Sequence, residues 1–95
     1  MENMGFWCGI RDFSFSPSHI ANLIVGDWIV FENLGKSIHN IVCNDFVSPD
    51  LIPGEMFQYT MKNSGEFKIT CGKHDNEFLM VKVEDQFPTA DPSQL

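Results

Sequence analysis

The strongest constraint on this chain is a period of two. Phe67, Ile69 and Cys71 alternate with Glu66, Lys68 and Thr70, and Leu79, Val81 and Val83 alternate with Met80, Lys82 and Glu84. Such alternation sets apolar side chains on one face of an extended strand, and no segment sustains the 3.6-residue period of an amphipathic helix. The same reading gives a half-buried strand from Ile10 to Ser16, closed by Pro17, and a short strand over His19 to Ile24. Trp28 to Asn33, His39 to Cys43 and Met56 to Met61 complete the set. Val25-Gly26-Asp27, Leu34-Gly35-Lys36-Ser37 and Lys62-Asn63-Ser64-Gly65 are turn signals, while Pro49 and Pro53 keep residues 44–53 out of a central strand. About seven to eight short strands, with turns roughly every 8 to 12 residues, predict an all-β fold, a Greek-key antiparallel β-sandwich.

A chain of 95 residues has room for one domain with one modest core. That core is expected over residues 10–85. Residues 1–9, where glycines flank Phe6, Trp7 and Cys8, read as irregular and peripheral, and the proline-bearing tail 87–95 as loose. The hydrophobic share of 43% is that of a globular protein rather than a disordered one. No apolar run reaches the roughly 18 residues of a membrane span. Met1-Glu2-Asn3-Met4 lacks the basic and apolar regions of a secretory signal. The chain is therefore cytosolic or a mature form, and a periplasmic or extracellular mature form is the expectation.

Thirteen acidic residues against six basic ones give a net charge of −7, which disfavours nucleic acid, since phosphate contact needs a basic face. An acidic surface favours encounter with a basic partner, by steering that salt weakens.

Cys71-Gly72-Lys73-His74 closes a strand, and once the strand ends a C-x2-H turn can aim a thiolate and an imidazole at one point. His39, in Gly35-Lys36-Ser37-Ile38-His39-Asn40, heads another strand. A sandwich sets strand ends that are distant in sequence side by side. Taken singly, Cys71 reads as a buried structural thiol and His39 as a surface residue; the combination carries the chemistry. One thiolate and two imidazoles form a soft, compact donor set suited to copper, with zinc as the competitor. With Cys71 so used, Cys8 and Cys43 remain as either a disulfide or two buried thiols.

Several segments, in order and spacing, resemble the cupredoxins, the blue copper proteins. They are Phe15-Ser16-Pro17, Val25-Gly26-Asp27-Trp28-Ile29-Val30-Phe31-Glu32-Asn33, His39-Asn40-Ile41-Val42, Pro53 to Met61, and Ser64 to His74. The resemblance runs from about Ile10 to Glu84. It implies a trigonal plane of His39, Cys71 and His74 around one copper ion, with Asn40 tying the two ligand segments together by hydrogen bonds. Phe57 and Phe67 would be core packing. The axial position departs from the family's methionine. On the shortest loop pattern Glu77 stands where Met is expected and Leu79 where Gly is expected; on a longer spacing Leu79 is axial. Met80 has the usual chemistry but the opposite strand phase, so it would need a bulge. An axial carboxylate favours Cu(II) and lowers the potential, whereas Leu leaves three-coordinate copper with a raised one.

The function implied is one-electron transfer between Cu(I) and Cu(II) by a monomer serving a redox partner protein. His74 would be the electron exit and Phe78 part of a docking patch. A copper carrier without redox turnover, a metal-free interaction domain and catalysis at an open copper position are the alternatives. There is no nucleophile–base pair and no phosphate loop to suggest another enzyme.

Overall fold

The alternating stretches pair into nine strands. They are β1 (Gly5–Ile10), β2 (Phe15–Ser16), β3 (His19–Ile24), β4 (Trp28–Asn33), β5 (Ile41–Cys43), β6 (Phe46–Val47), β7 (Met56–Thr60), β8 (Gly65–Cys71) and β9 (His74–Glu84). The computed structural model describes residues 3–85, apart from the side chains of His74, Asp75 and Asn76. One sheet has the order β2-β1-β4-β7 and the other β3-β9-β8-β5-β6. Their facing sides bury Cys8, Ile10, Phe15, Ile29 and Phe31 against Leu23, Ile41, Ile69, Leu79, Val81 and Val83. The expected β-sandwich is the observed architecture, but it is mixed. β1 runs parallel to β4, and β3 parallel to β9. Alternation reports which face a residue occupies and carries no information on strand direction.

Two expectations at the N-terminal end are corrected. Gly5–Ile10 is a strand interior to its sheet, not an irregular lead-in, and Cys8 is fully buried. Its glycines mark close approach rather than turns: a Cβ on Gly5 would run into the Trp28 indole, and one on Gly9 would lie 2.6 Å from Leu34 Cδ1. The strand expected from Ile10 to Ser16 is instead a hairpin. Ile10 pairs with Phe15, and the Arg11 N–H donates to the Ser14 carbonyl at 2.8 Å. Asp12 and Phe13 thus sit at a loop tip, and Phe13 is 90% exposed. Cys8 and Cys43 lie in different sheets and both are free thiols.

The Val25-Gly26-Asp27 turn joins the two sheets. Gly26 has φ 102°, a left-handed conformation that costs glycine nothing. Asp27, buried, accepts from the Met4 and Ile24 N–H groups, both at 2.9 Å, and from the Asn3 amide at 3.1 Å. Burial alone would raise its pKa, but these donors outweigh burial and hold it below the ordinary 3.8. Asp27→Ala strands two backbone donors and is expected to cost about 1–3 kcal/mol. The unfolded chain binds this proton more readily than the folded one. The Asp27 contribution is therefore complete above the ordinary carboxylate pKa and fades as pH falls through the lower folded value. Urea midpoints of wild type and variant should differ most at neutral pH and converge in acid; a gap that is constant with pH would contradict this account.

Candidate metal centre

Loops at one end of the sandwich carry the donors, and a buried amide organises the first of them. Asn33, at the end of β4, donates through Nδ2 to the carbonyls of Ser37 (2.9 Å) and Leu51 (2.8 Å), and its Oδ1 accepts from the Gly35 N–H at 2.9 Å. The chain then pairs with the 48–53 segment: His39 N–H donates to the Leu51 carbonyl at 3.1 Å and the Leu51 N–H returns to His39 at 2.7 Å. Two residues on, the Ile41 N–H donates to Ser48 Oγ at 2.8 Å, whose hydroxyl donates to the Pro49 carbonyl at 2.9 Å. His39, flanked by these bonds, is fully buried.

The second donor arrives on β8. Cys71 ends that strand, buried, opposite Ile41 of β5 and opposite His74 across the Gly72-Lys73 turn. Asn40 Oδ1 accepts the Gly72 N–H at 2.9 Å, and a Cβ on Gly72 would stand only 2.8 Å from that oxygen, so glycine lets the two loops meet. The Lys73 N–H points at Cys71 Sγ, at 3.4 Å. Cys71 pairs with His74 while its neighbour Thr70 pairs with Phe78. Three extra residues, 75–77, are thereby accommodated on β9 as a bulge, which re-aims a side chain where regular alternation would not.

That side chain is Glu77, which is 3% exposed. His39 Nδ1 lies 3.3 Å from Cys71 Sγ and 3.4 Å from Glu77 Oε1, and one donor atom from each of the three residues falls within 4.8 Å of the others. On the far side of the ring, His39 Nε2 is 3.0 Å from Asp12 Oδ1. The Asp12 carboxyl is held down to about 2, first by the His39 hydrogen bond and then by the Lys36 and Ser37 N–H groups. Cys8, near enough to feel the Glu77 charge, is pushed up to about 12, chiefly by burial, and is a structural thiol.

The structure brings together His39, Cys71 and Glu77, and it sets the His74 backbone beside Cys71; the His74 side chain lies outside the described residues. Leu79 is fully buried opposite Ile69, below the bulge. Met80 is not brought in: it lies on the outer face, paired with Lys68 and His19, and lines a groove with His19, Glu66 and Lys82. Phe57 and Phe67 pack against the core as expected, and Phe78 is half exposed with Lys68 Nζ 5.0 Å from its ring centre. Asp12 and Asn33 escaped the sequence reading. Asp12 falls inside the strand expected from Ile10 to Ser16, and no local pattern marks an acid that meets a histidine 27 residues away.

A thiolate, a buried imidazole and a carboxylate facing one point fit a first-row transition metal, and the thiolate selects copper or zinc over harder ions. The chain has the cupredoxin fold. A purple cupredoxin from Nitrosopumilus maritimus superposes with TM-score 0.75 at 23% identity, over 83% of this chain and 99% of that one. An oxidised amicyanin variant gives TM-score 0.76 at 17% identity, over 83% and 81% of the two chains. A Cu-containing nitrite reductase from Thermus scotoductus gives 0.72 at 22% identity, and there the match covers 87% of this chain but only 23% of the enzyme. Neither a family model nor a curated protein matches the sequence. Among the described residues no helix is long and apolar enough to cross a membrane.

Proposed function

We propose that this protein is a one-electron carrier whose single copper ion is held by His39, Cys71 and His74, with Glu77 as fourth ligand in place of the usual methionine. The observation that supports it most is the buried convergence of His39 Nδ1, the Cys71 thiol and the Glu77 carboxylate within 4.8 Å. Copper bound there would supply a Cu(I)/Cu(II) couple. The chain's own residues do the rest. The backbone bonds of His39 to Leu51, and the Asn40 bond to Gly72, fix the two ligand loops to each other and to the sheets. Donors so fixed need not move between oxidation states, and burial keeps water from the thiolate. The Lys73 N–H at the sulfur tempers its charge.

His74 is proposed as the electron exit and Phe78 as part of the surface that meets a redox partner, with the net charge of −7 favouring a basic docking face. A monomer working in the periplasm or outside the cell, with residues 1–95 as one domain, completes the reading. The nitrite reductase likeness keeps a second reading in play, in which a cupredoxin domain serves a larger enzyme.

The test is to load the protein with Cu(II), record its visible spectrum and titrate the metal with reductant. An intense thiolate-to-copper band and reversible reduction are expected. A coloured site that cannot be cycled would leave a copper carrier, and a protein that takes Zn(II) but gives no copper band would sink the proposal.

A further inference from the structure

We infer that Asp12 is a positioning residue for the metal centre: its carboxylate takes the Nε2–H of His39, so that Nδ1 is the nitrogen turned to the metal, and its charge favours the oxidised ion. This rests on the ligand assignment proposed above for His39. Three donors converge on Asp12 Oδ1, namely His39 Nε2 at 3.0 Å, the Lys36 N–H at 3.0 Å and the Ser37 N–H at 3.2 Å, while Oδ2 takes a second bond from Lys36 at 3.1 Å. An ionised carboxylate only accepts, so the ring nitrogen facing Asp12 carries hydrogen, and the other nitrogen is the one a metal can take. The remaining nitrogen, Nδ1, is the one that faces Cys71 Sγ and Glu77 Oε1.

The surroundings are shaped for this contact. A Cβ on Gly35 would collide with Asp12 Oδ1 and stand 3.1 Å from His39 Nε2, so the absence of a side chain there is what lets carboxylate and imidazole meet against the backbone. The hairpin tip between β1 and β2 is therefore clamped to the loop that leads into His39, and the ring cannot turn without breaking the Asp12 contact. A carboxylate behind a ligating imidazole fixes the tautomer and raises ligand basicity. A more basic ligand, with a negative charge one ring away, stabilises Cu(II) over Cu(I).

Asp12→Asn separates charge from geometry, because Oδ1 remains to accept from all three donors. Asp12→Ala removes both. Long-range 15N–1H spectra of Zn(II)-loaded protein labelled in histidine should show His39 with hydrogen on Nε2 and metal on Nδ1 in wild type and Asp12→Asn, and a mixture in Asp12→Ala. Competition against a chelator should give a Zn(II) affinity about 10–100-fold lower for Asp12→Ala. In copper-loaded Asp12→Asn the potential should rise, a tenfold loss of Cu(II) affinity relative to Cu(I) reading as about 59 mV. Circular dichroism checks that each variant is folded. An Nδ1–H tautomer in the wild type, or unchanged affinity and potential in both variants, overturns the assignment of Asp12. Should the wild type bind neither copper nor zinc, the proposed function fails instead; hydrogen on His39 Nε2 in the apo spectrum, lost in Asp12→Ala, would then support the Asp12 contact, and its absence in the wild type would overturn it.

Discussion

Cys71→Ser is expected to abolish the visible thiolate-to-copper band and leave the sandwich folded. The colour of such a site is charge transfer from sulfur, and a serine hydroxyl, far harder and not ionised at neutral pH, cannot supply it. Cys71 is buried at the end of β8, where serine is nearly isosteric, so packing is preserved and burial of a hydroxyl costs about 1–3 kcal/mol. Most of the core, Phe31, Ile29, Ile69, Leu79 and Val81 among it, consists of apolar strand residues that are not proposed ligands, and their burial does not depend on a metal bond. Apo protein, wild type and variant alike, should therefore show a cooperative thermal transition and a dispersed amide spectrum. If the apo wild type were unfolded, the preformed centre inferred from Asn33, Asn40 and Leu51 would be wrong. If Cys71→Ser kept the band, the sulfur ligand would have to be sought elsewhere.

Glu77→Met should raise the reduction potential. The glutamate oxygen is a hard, anionic donor that favours Cu(II), whereas a thioether is soft, neutral and better matched to Cu(I). The exchange is expected to shift the relative affinity for the two oxidation states by at least tenfold, which for one electron is about 59 mV. A carboxylate held by copper would weaken the bond to the Cys71 sulfur, so the visible band should also change shape when the carboxylate is removed. Met and Glu are similar in length, so the exchange changes the donor atom more than the bulk of the side chain. A potential and spectrum that do not respond would mean that Glu77 is a buried neighbour of His39 rather than a ligand. Glu77→Gln, which keeps the oxygen and removes the charge, should fall between the two.

The class of fold was legible because its signal is local. Alternation in β4, β8 and β9 marks the buried face residue by residue, and Leu79, Val81 and Val83 occupy it. Where local signals conflicted, the reading went astray. Gly5 and Gly9 looked like loop residues, yet their missing side chains make room for Trp28 and Leu34 in the middle of a sheet. Alternation from Ile10 to Ser16 suggests a continuing strand, while the Arg11–Ser14 bond turns the chain back within it.

The candidate centre divides along the same line. The sequence by itself singled out the candidate donors His39, Cys71 and His74, since a C-x2-H turn and a histidine at the head of another expected strand are local facts. The resemblance to the cupredoxins added Glu77, Leu79 and Met80 as candidates for a fourth donor, because they follow His74 where that family's loop patterns end. Only the tertiary structure decided among their placements. The bulge over residues 75–77 turns Glu77 toward His39, seats Leu79 in the core below and leaves Met80 on the outer face. It alone brought Asp12 behind the imidazole, 27 positions away in the chain. Strand phase is set by each residue's immediate neighbours, but bulges and loop-to-loop contacts are set by what packs against them from distant parts of the chain.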